Sequence, residues 1–164
     1  MHRKEAAEDV VKRFGGDILR SHGMALEKGF LQHGTCSVYD HSVLVAVMCV
    51  ELARRCHIPS DTRALVRGAL LHDYFLYDWH EPHQGHRFHA VSHAGQALRN
   101  AERDFCLSDV ERNMIEAHMF PLSAVLPRYR ESVILCAADK ICALRETAAG
   151  FSRRLRKRPG MASR

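Results

Sequence analysis

The stretch Arg67-Gly68-Ala69-Leu70-Leu71-His72-Asp73 sets a histidine and a carboxylate side by side at the end of an apolar run. A carboxylate among apolar neighbours loses its solvation unless something pairs with it. The run belongs to a helical stripe, with Leu65, Ala69, His72 and Phe75 at i, i+4, i+7 and i+10, opened by Pro59 and Ser60. Neighbours on a helix diverge by about 100°, so both polar groups face one partner only where that partner lies against this part of the helix. Two more polar residues break apolar helical runs in the same way. His41 stands beside Val43, Leu44 and Val45, and Asp139 interrupts Ile134-Leu135-Cys136-Ala137-Ala138. One helix offers only a pair of metal ligands at a productive angle. Four such residues on three apolar helices therefore share one explanation, convergence on a cation.

Outward from the doublet, helical periodicity outweighs alternation along the whole chain and predicts an all-α fold. Two amino-terminal helices are expected at 5–14 and 17–31, the second weakened by Gly23 and Gly29. A third is expected at 37–56, with Ser37 as its cap and Asp40 three residues on. After the helix of the doublet, residues 78–87 read as a loop containing Pro82 and Gly85. A fifth helix follows at 90–104. Ser108 with Glu111 forms a capping box for a sixth ending near His118 and broken by Pro121, and the last helix runs over 129–147.

The chain of 164 residues suits one domain, read as 1–150 around a motif core at 37–147, followed by a flexible basic tail at 151–164. Apolar residues at 46% and charged residues at 26% are the balance of a globular protein, not of a disordered or collagen-like one. The longest apolar run, Val43 to Val50, is far short of the roughly 20 residues that span a bilayer. The amino terminus turns acidic where a secretory signal places its apolar stretch, so the expected location is cytoplasmic, with no membrane partner. The net charge of +5 lies at the end: Arg153, Arg154, Arg156, Lys157, Arg158 and Arg164 are unopposed, and the remainder carries 18 cations against 19 acids. That distribution leaves only weak nucleic-acid contact through the tail. The six cysteines contain no C-x-x-C pair and read as reduced core residues.

The order His41, His72-Asp73, Asp139 resembles the HD-domain superfamily of metal-dependent phosphohydrolases, whose signature is H…HD…D on an all-α bundle. The wording around Tyr39-Asp40-His41-Ser42-Val43-Leu44-Val45-Ala46 and around the doublet is similar to that family's first two motifs. Dinuclear members carry H…HD…H…H…D, and His93 and His118 stand between the doublet and Asp139. The resemblance implies a helical bundle with the metal site between its helices. It implies that His41, His72 and Asp139 hold one ion, that His93 and His118 hold the other, and that Asp73 bridges them as the catalytic carboxylate. In the single-ion alternative His93 and His118 merely line the pocket. Divalent iron or manganese is favoured, with cobalt, nickel or zinc admitted by the same donors. The implied activity is cleavage of a phosphate ester or anhydride of a small, nucleotide-like metabolite by metal-activated water. The alternatives are a di-iron HD-type oxygenase and a non-catalytic, metal-stabilised nucleotide-binding or interaction module. No G-x-S-x-G elbow, Walker loop or Rossmann fingerprint offers a competing chemistry.

His80, His83, His86 and His89 crowd the approach to His93, and His89 would share a helical face with it as an alternative ligand or support. The segment reads as a rim loop. Lys140 is a candidate for a substrate phosphate, with Arg67, Arg87 and Arg145 weaker ones of the same kind. Phe120, Tyr74, Tyr77 and Trp79 are candidates for an aromatic wall against a base, or for the core.

Overall fold

The computed structural model describes residues 5–33, 36–76 and 89–157. Among these there are seven helices, α1 Ala7–Leu19, α2 His22–Glu27, α3 Val38–Arg55, α4 Thr62–Leu71, α5 His89–Asp104, α6 Asp109–Ala117 and α7 Arg130–Lys157. A two-stranded antiparallel ribbon, β1 Leu31–His33 and β2 Cys36–Ser37, is the one addition to the expected all-α architecture. The loop at 78–87, with His80, His83, His86, Trp79 and Arg87, lies outside the described residues, as do Tyr77 and the chain end from Arg158.

Several helix ends are fixed by the residues that the sequence marks. Ser37 Oγ accepts the Asp40 N–H at 3.1 Å to start α3. Ser108 and Glu111 satisfy each other's backbone N–H groups at the start of α6, using up two of the donors that every helix start leaves orphaned. At α4 the cap is Asp61 rather than Ser60, its Oδ1 accepting the Ala64 N–H at 3.0 Å.

Four boundaries differ from the sequence reading. α1 does not stop at Phe14 but runs through Gly15 and Gly16. A Cβ on Gly15 would run into Leu70 of α4, so the missing side chain lets two helices approach, and tertiary packing overrides poor helix propensity. The second helix shrinks to six residues, capped by Ser21, and the chain beyond Gly29 turns into the ribbon instead of continuing to Leu31. α7 continues ten residues past Thr147 to Lys157, because no helix breaker stronger than Gly150 occurs before Pro159. α4 ends at Leu71, with His72 as its last half-helical residue and Asp73 in the following turn.

That last difference positions the site. Leaving the helix, the chain passes through Leu76 at φ 59°, and Asn100 of α5 donates to the carbonyls of Tyr74 and Phe75 at 3.1 and 2.9 Å. Buried backbone carbonyls need such partners. Asn100 thus pins the exit of α4 and, with it, Asp73.

The core is a single cluster to which all seven helices contribute, with Val45, Cys49, Leu65, Ala69, Leu70, Met114, Ile115 and Leu135 among its buried residues. α3 and α4 pack on each other and both pack on α7, which carries His41, His72 and Asp139 toward one another. Cys49, Cys136 and Cys142 are core residues as expected, but Cys56 and Cys106 are exposed, since they fall just beyond the ends of α3 and α5.

Candidate metal centre

His41, His72, Asp73, His93 and His118 converge in the interior, each between 0 and 6% exposed, and Asp139 closes the group from α7. They form two overlapping trios, His41–His72–Asp73 and Asp73–His93–His118, in each of which the donor atoms lie within 4.8 Å of one another. Asp73 belongs to both, and its two oxygens divide between them. Oδ2 lies 3.9 Å from His41 Nε2 and 3.4 Å from His72 Nε2. Oδ1 lies 3.4 Å from His93 Nε2 and 3.5 Å from His118 Nε2. Asp139 Oδ1 joins the first side, 3.1 Å from His41 Nε2 and 3.7 Å from His72 Nε2.

The far nitrogens are occupied. His72 Nδ1 donates to the Ala69 carbonyl at 2.8 Å, and His118 Nδ1 to the Ile115 carbonyl at 2.7 Å. His41 Nδ1 meets both oxygens of Glu146 at 3.1 Å. With Nδ1–H spent in this way, the neutral ring turns an Nε2 lone pair inward. Three such lone pairs face carboxylate oxygens, and His72 Nε2 is buried with no hydrogen-bond partner among the described residues. His93 Nε2 and His118 Nε2 stand 2.9 Å apart. Electron-rich atoms at these separations repel unless protons or cations lie between them.

Without a metal, protons fill part of that need. Burial pulls the His41 pKa down, but the hydrogen bonds of Asp139 and Glu146 overcome it and raise it to about 10. Burial would raise Asp73, yet the surrounding histidines, His72 foremost, hold it at about 2. Asp139 is likewise held well below the carboxylate range against its burial, through His41 and His72. His118 goes the other way: burial outweighs the attraction of Asp73 and lowers it to about 4, so this imidazole is neutral near pH 7. Buried carboxylates interleaved with inward lone pairs are the donor set of a divalent transition-metal site, and the orphaned His72 nitrogen is where such an ion fits.

The structure settles several other candidates. Arg67 is buried and committed, its Nε to Glu111 at 3.0 Å and its Nη1 to Asp17 at 2.6 Å. It is a strut between α4, α6 and α1, not a phosphate ligand. Tyr74 is a core residue packed edge-on against Phe105, with its hydroxyl donating to Asp104 at 3.1 Å; it forms no aromatic wall. Phe120 is half-buried just after α6, and Arg145 is exposed on α7. Lys140 is half-buried beside the cluster, its Nζ donating to the carbonyls of His118 and Cys136 at 3.2 and 3.3 Å. His93, one turn into α5, is brought to Asp73, and the side chain of the alternative, His89, lies outside the described residues. A surface groove of about 530 Å³ between α1, α3 and α4, lined by Arg13, Phe14 and Arg54 among others, shares no residue with this cluster.

Two acidic residues enter that the sequence reading gave no role. Glu146 follows Asp139 by seven residues, two turns along the same face of α7, a spacing that a search for supports of His41 would find. Glu27, on α2, is 0% exposed and leaves both carboxyl oxygens without a hydrogen-bond partner among the described residues. Its setting, Leu26-Glu27-Lys28-Gly29, reads as an ordinary polar helix end.

No helix among the described residues is long and apolar enough to cross a membrane. No curated protein and no solved structure matches the chain. The HD domain family model matches residues 38–144, a stretch that contains all six converging side chains. On that match, supported by the helical bundle and the buried His/Asp cluster at its centre, the chain belongs to the HD domain family.

Proposed function

We propose that this HD domain is a phosphohydrolase that holds two divalent ions and cleaves a phosphate ester or anhydride of a small, nucleotide-like metabolite. The observation that carries the reading is the division of Asp73: one oxygen faces His41 and His72, the other faces His93 and His118. In this reading His41, His72 and Asp139 hold one ion, His93 and His118 hold the other, and Asp73 lies between. When bound, such a pair supplies an activated water and neutralises phosphoryl oxygens during in-line displacement.

The chain's own part is orientation and exclusion of bulk water. Ala69 and Ile115 fix the ring planes of His72 and His118 through their carbonyls, and Glu146 does the same for His41, the arrangement that keeps first ligands in place and basic. Lys140 has two of its three donors engaged by carbonyls, and we assign the third to a substrate phosphate oxygen. Mixed imidazole and carboxylate donors suit iron or manganese and also accept cobalt, nickel and zinc. A small phosphorylated partner in the cytoplasm, with at most weak nucleic-acid contact through the basic tail, completes the proposal.

The test is metal analysis of untagged protein purified without chelator, paired with phosphate release from a panel of nucleotides. Wild type is expected to carry two ions per chain and to release phosphate. The Asp73→Ala variant is expected to stay folded and lose both properties, and turnover unchanged in that variant would sink the assignment.

A further inference from the structure

Glu27 is a fully buried carboxyl with no hydrogen-bond partner among the described residues. Burying a carboxyl without a hydrogen-bond partner is costly, and each such group in a native structure calls for an explanation. Neither oxygen of Glu27 has a partner among the described residues, and none of its surface is exposed. Burial, with repulsion from Asp73 added, pushes its pKa well above the carboxylate range. Among the described residues no basic side chain forms an ion pair with it.

Its place in the fold explains which charge it senses. Glu27 follows Gly23 by one helical turn, so the two share a face of α2. Gly23 packs so tightly on Tyr74 that a Cβ there would strike the tyrosine hydroxyl. Tyr74 immediately follows Asp73, and it too feels the Glu27 carboxyl. The face of α2 that carries Glu27 thus packs against the side chain of Tyr74, the residue that follows Asp73. α2 also packs on α3, the helix of His41.

We propose that Glu27 belongs to the metal centre, as an inner carboxylate beside Asp73 whose charge is offset by the bound cations and which in turn strengthens their binding. The inference rests on the reading of the cluster as a metal site and adds to it a residue from outside the matched stretch at 38–144. Two divalent ions against Asp73 and Asp139 alone leave excess positive charge in a buried site, where Coulomb interactions are strong. A third carboxylate reduces that excess. In the metal-free protein the same group is a liability. Glu27 is thus a residue that the apoprotein tolerates and the loaded protein uses.

This produces two effects of opposite sign, which a purely structural residue cannot produce. The test uses full-length apoprotein of wild type, Glu27→Gln and Glu27→Met, with manganese(II) as the probe. Thermal midpoints are measured without metal, and affinities by competition against a chelator. The expected result for both variants is an apoprotein midpoint equal to or above wild type, together with manganese affinity lower by about 10–100-fold, the usual cost of losing a supporting partner. Affinity equal to wild type in either folded variant overturns the proposal. So does a loss of affinity matched by a lowered apoprotein midpoint in both, because Glu27 would then be a packing residue. If wild type binds no manganese, the metal-site reading fails and takes this inference with it.

Discussion

Glu146 and Asp139 grip one imidazole from opposite edges: Glu146 takes His41 Nδ1 and Asp139 takes Nε2, each at 3.1 Å, from positions two turns apart on α7. The ring is therefore aligned by a single rigid element, and the two carboxylates have different tasks. Asp139 lies on the side of the ring that faces the His/Asp cluster and Glu146 on the opposite side. Glu146→Gln keeps the shape and an acceptor but loses the charge that makes His41 a better donor. The expected outcome is a folded protein whose metal affinity falls by about 10–100-fold, read by chelator competition; affinity equal to wild type would show that the Glu146 contact is incidental.

On the proposed two-ion reading, the divided contacts of Asp73 predict that the ions are lost separately. His118→Ala removes a ligand only on the Oδ1 side, and Asp139→Ala only on the Oδ2 side. Each variant is expected to retain about half the wild-type metal content by elemental analysis, whereas Asp73→Ala loses nearly all of it. Identical metal content in wild type and His118→Ala would reduce the centre to one ion.

Metal binding should release protons. In the apoprotein His41 holds its second proton up to about pH 10, and an ion at Nε2 must displace it. Because the folded pKa lies above the working pH, protons compete with metal at neutral pH, and apparent affinity rises as pH increases toward 10. Calorimetric titration in buffers of different ionisation enthalpy reads the release directly. Glu146→Gln removes the charge of one of the two carboxylates that raise His41, and is expected to shrink the buffer dependence. Heats that do not vary with buffer would contradict the proton assignment.

Arg67 provides a test of stability away from the metal. Its guanidinium pairs with Glu111, and both side chains are 5% exposed, whereas Asp17 is 57% exposed. Arg67→Ala leaves Glu111 buried without its cation, a change expected to cost about 3–5 kcal/mol in urea unfolding. Asp17→Ala, at the wet end of the same network, is expected to cost under about 1 kcal/mol. Equal costs for the two would mean that the pair does not act as a buried ion pair.

The candidate ligands that the sequence offered were polar residues out of place. His41, the doublet and Asp139 each interrupt an apolar helical run, and that contradiction between local composition and polarity is visible without coordinates. His93 and His118 carried no such contrast and became legible only through their order between the doublet and Asp139. Glu27 was invisible because burial is a tertiary property: its neighbours are polar, and α2 is too short for periodicity to show an inward face. The passage of α1 through Gly15 and Gly16 was hidden for the same reason, since the gain is contact with Leu70, some fifty residues away in sequence. The early end of α4 depends on Asn100, which no local signal links to Tyr74.

His72 and His118 share one further property, for each is the residue at which its helix stops and each donates to a carbonyl three residues back. Both histidines are thus registered to helix lengths. One residue inserted into α4 or α6 would swing the ligand by about 100°, beyond what a ring pinned to its own last turn can recover. Growth of α7 beyond Glu146 moves no ligand at all. Length variation among relatives of this chain should therefore concentrate after Glu146 and between the helices, while the spans from Asp61 to His72 and from Ser108 to His118 keep a constant count.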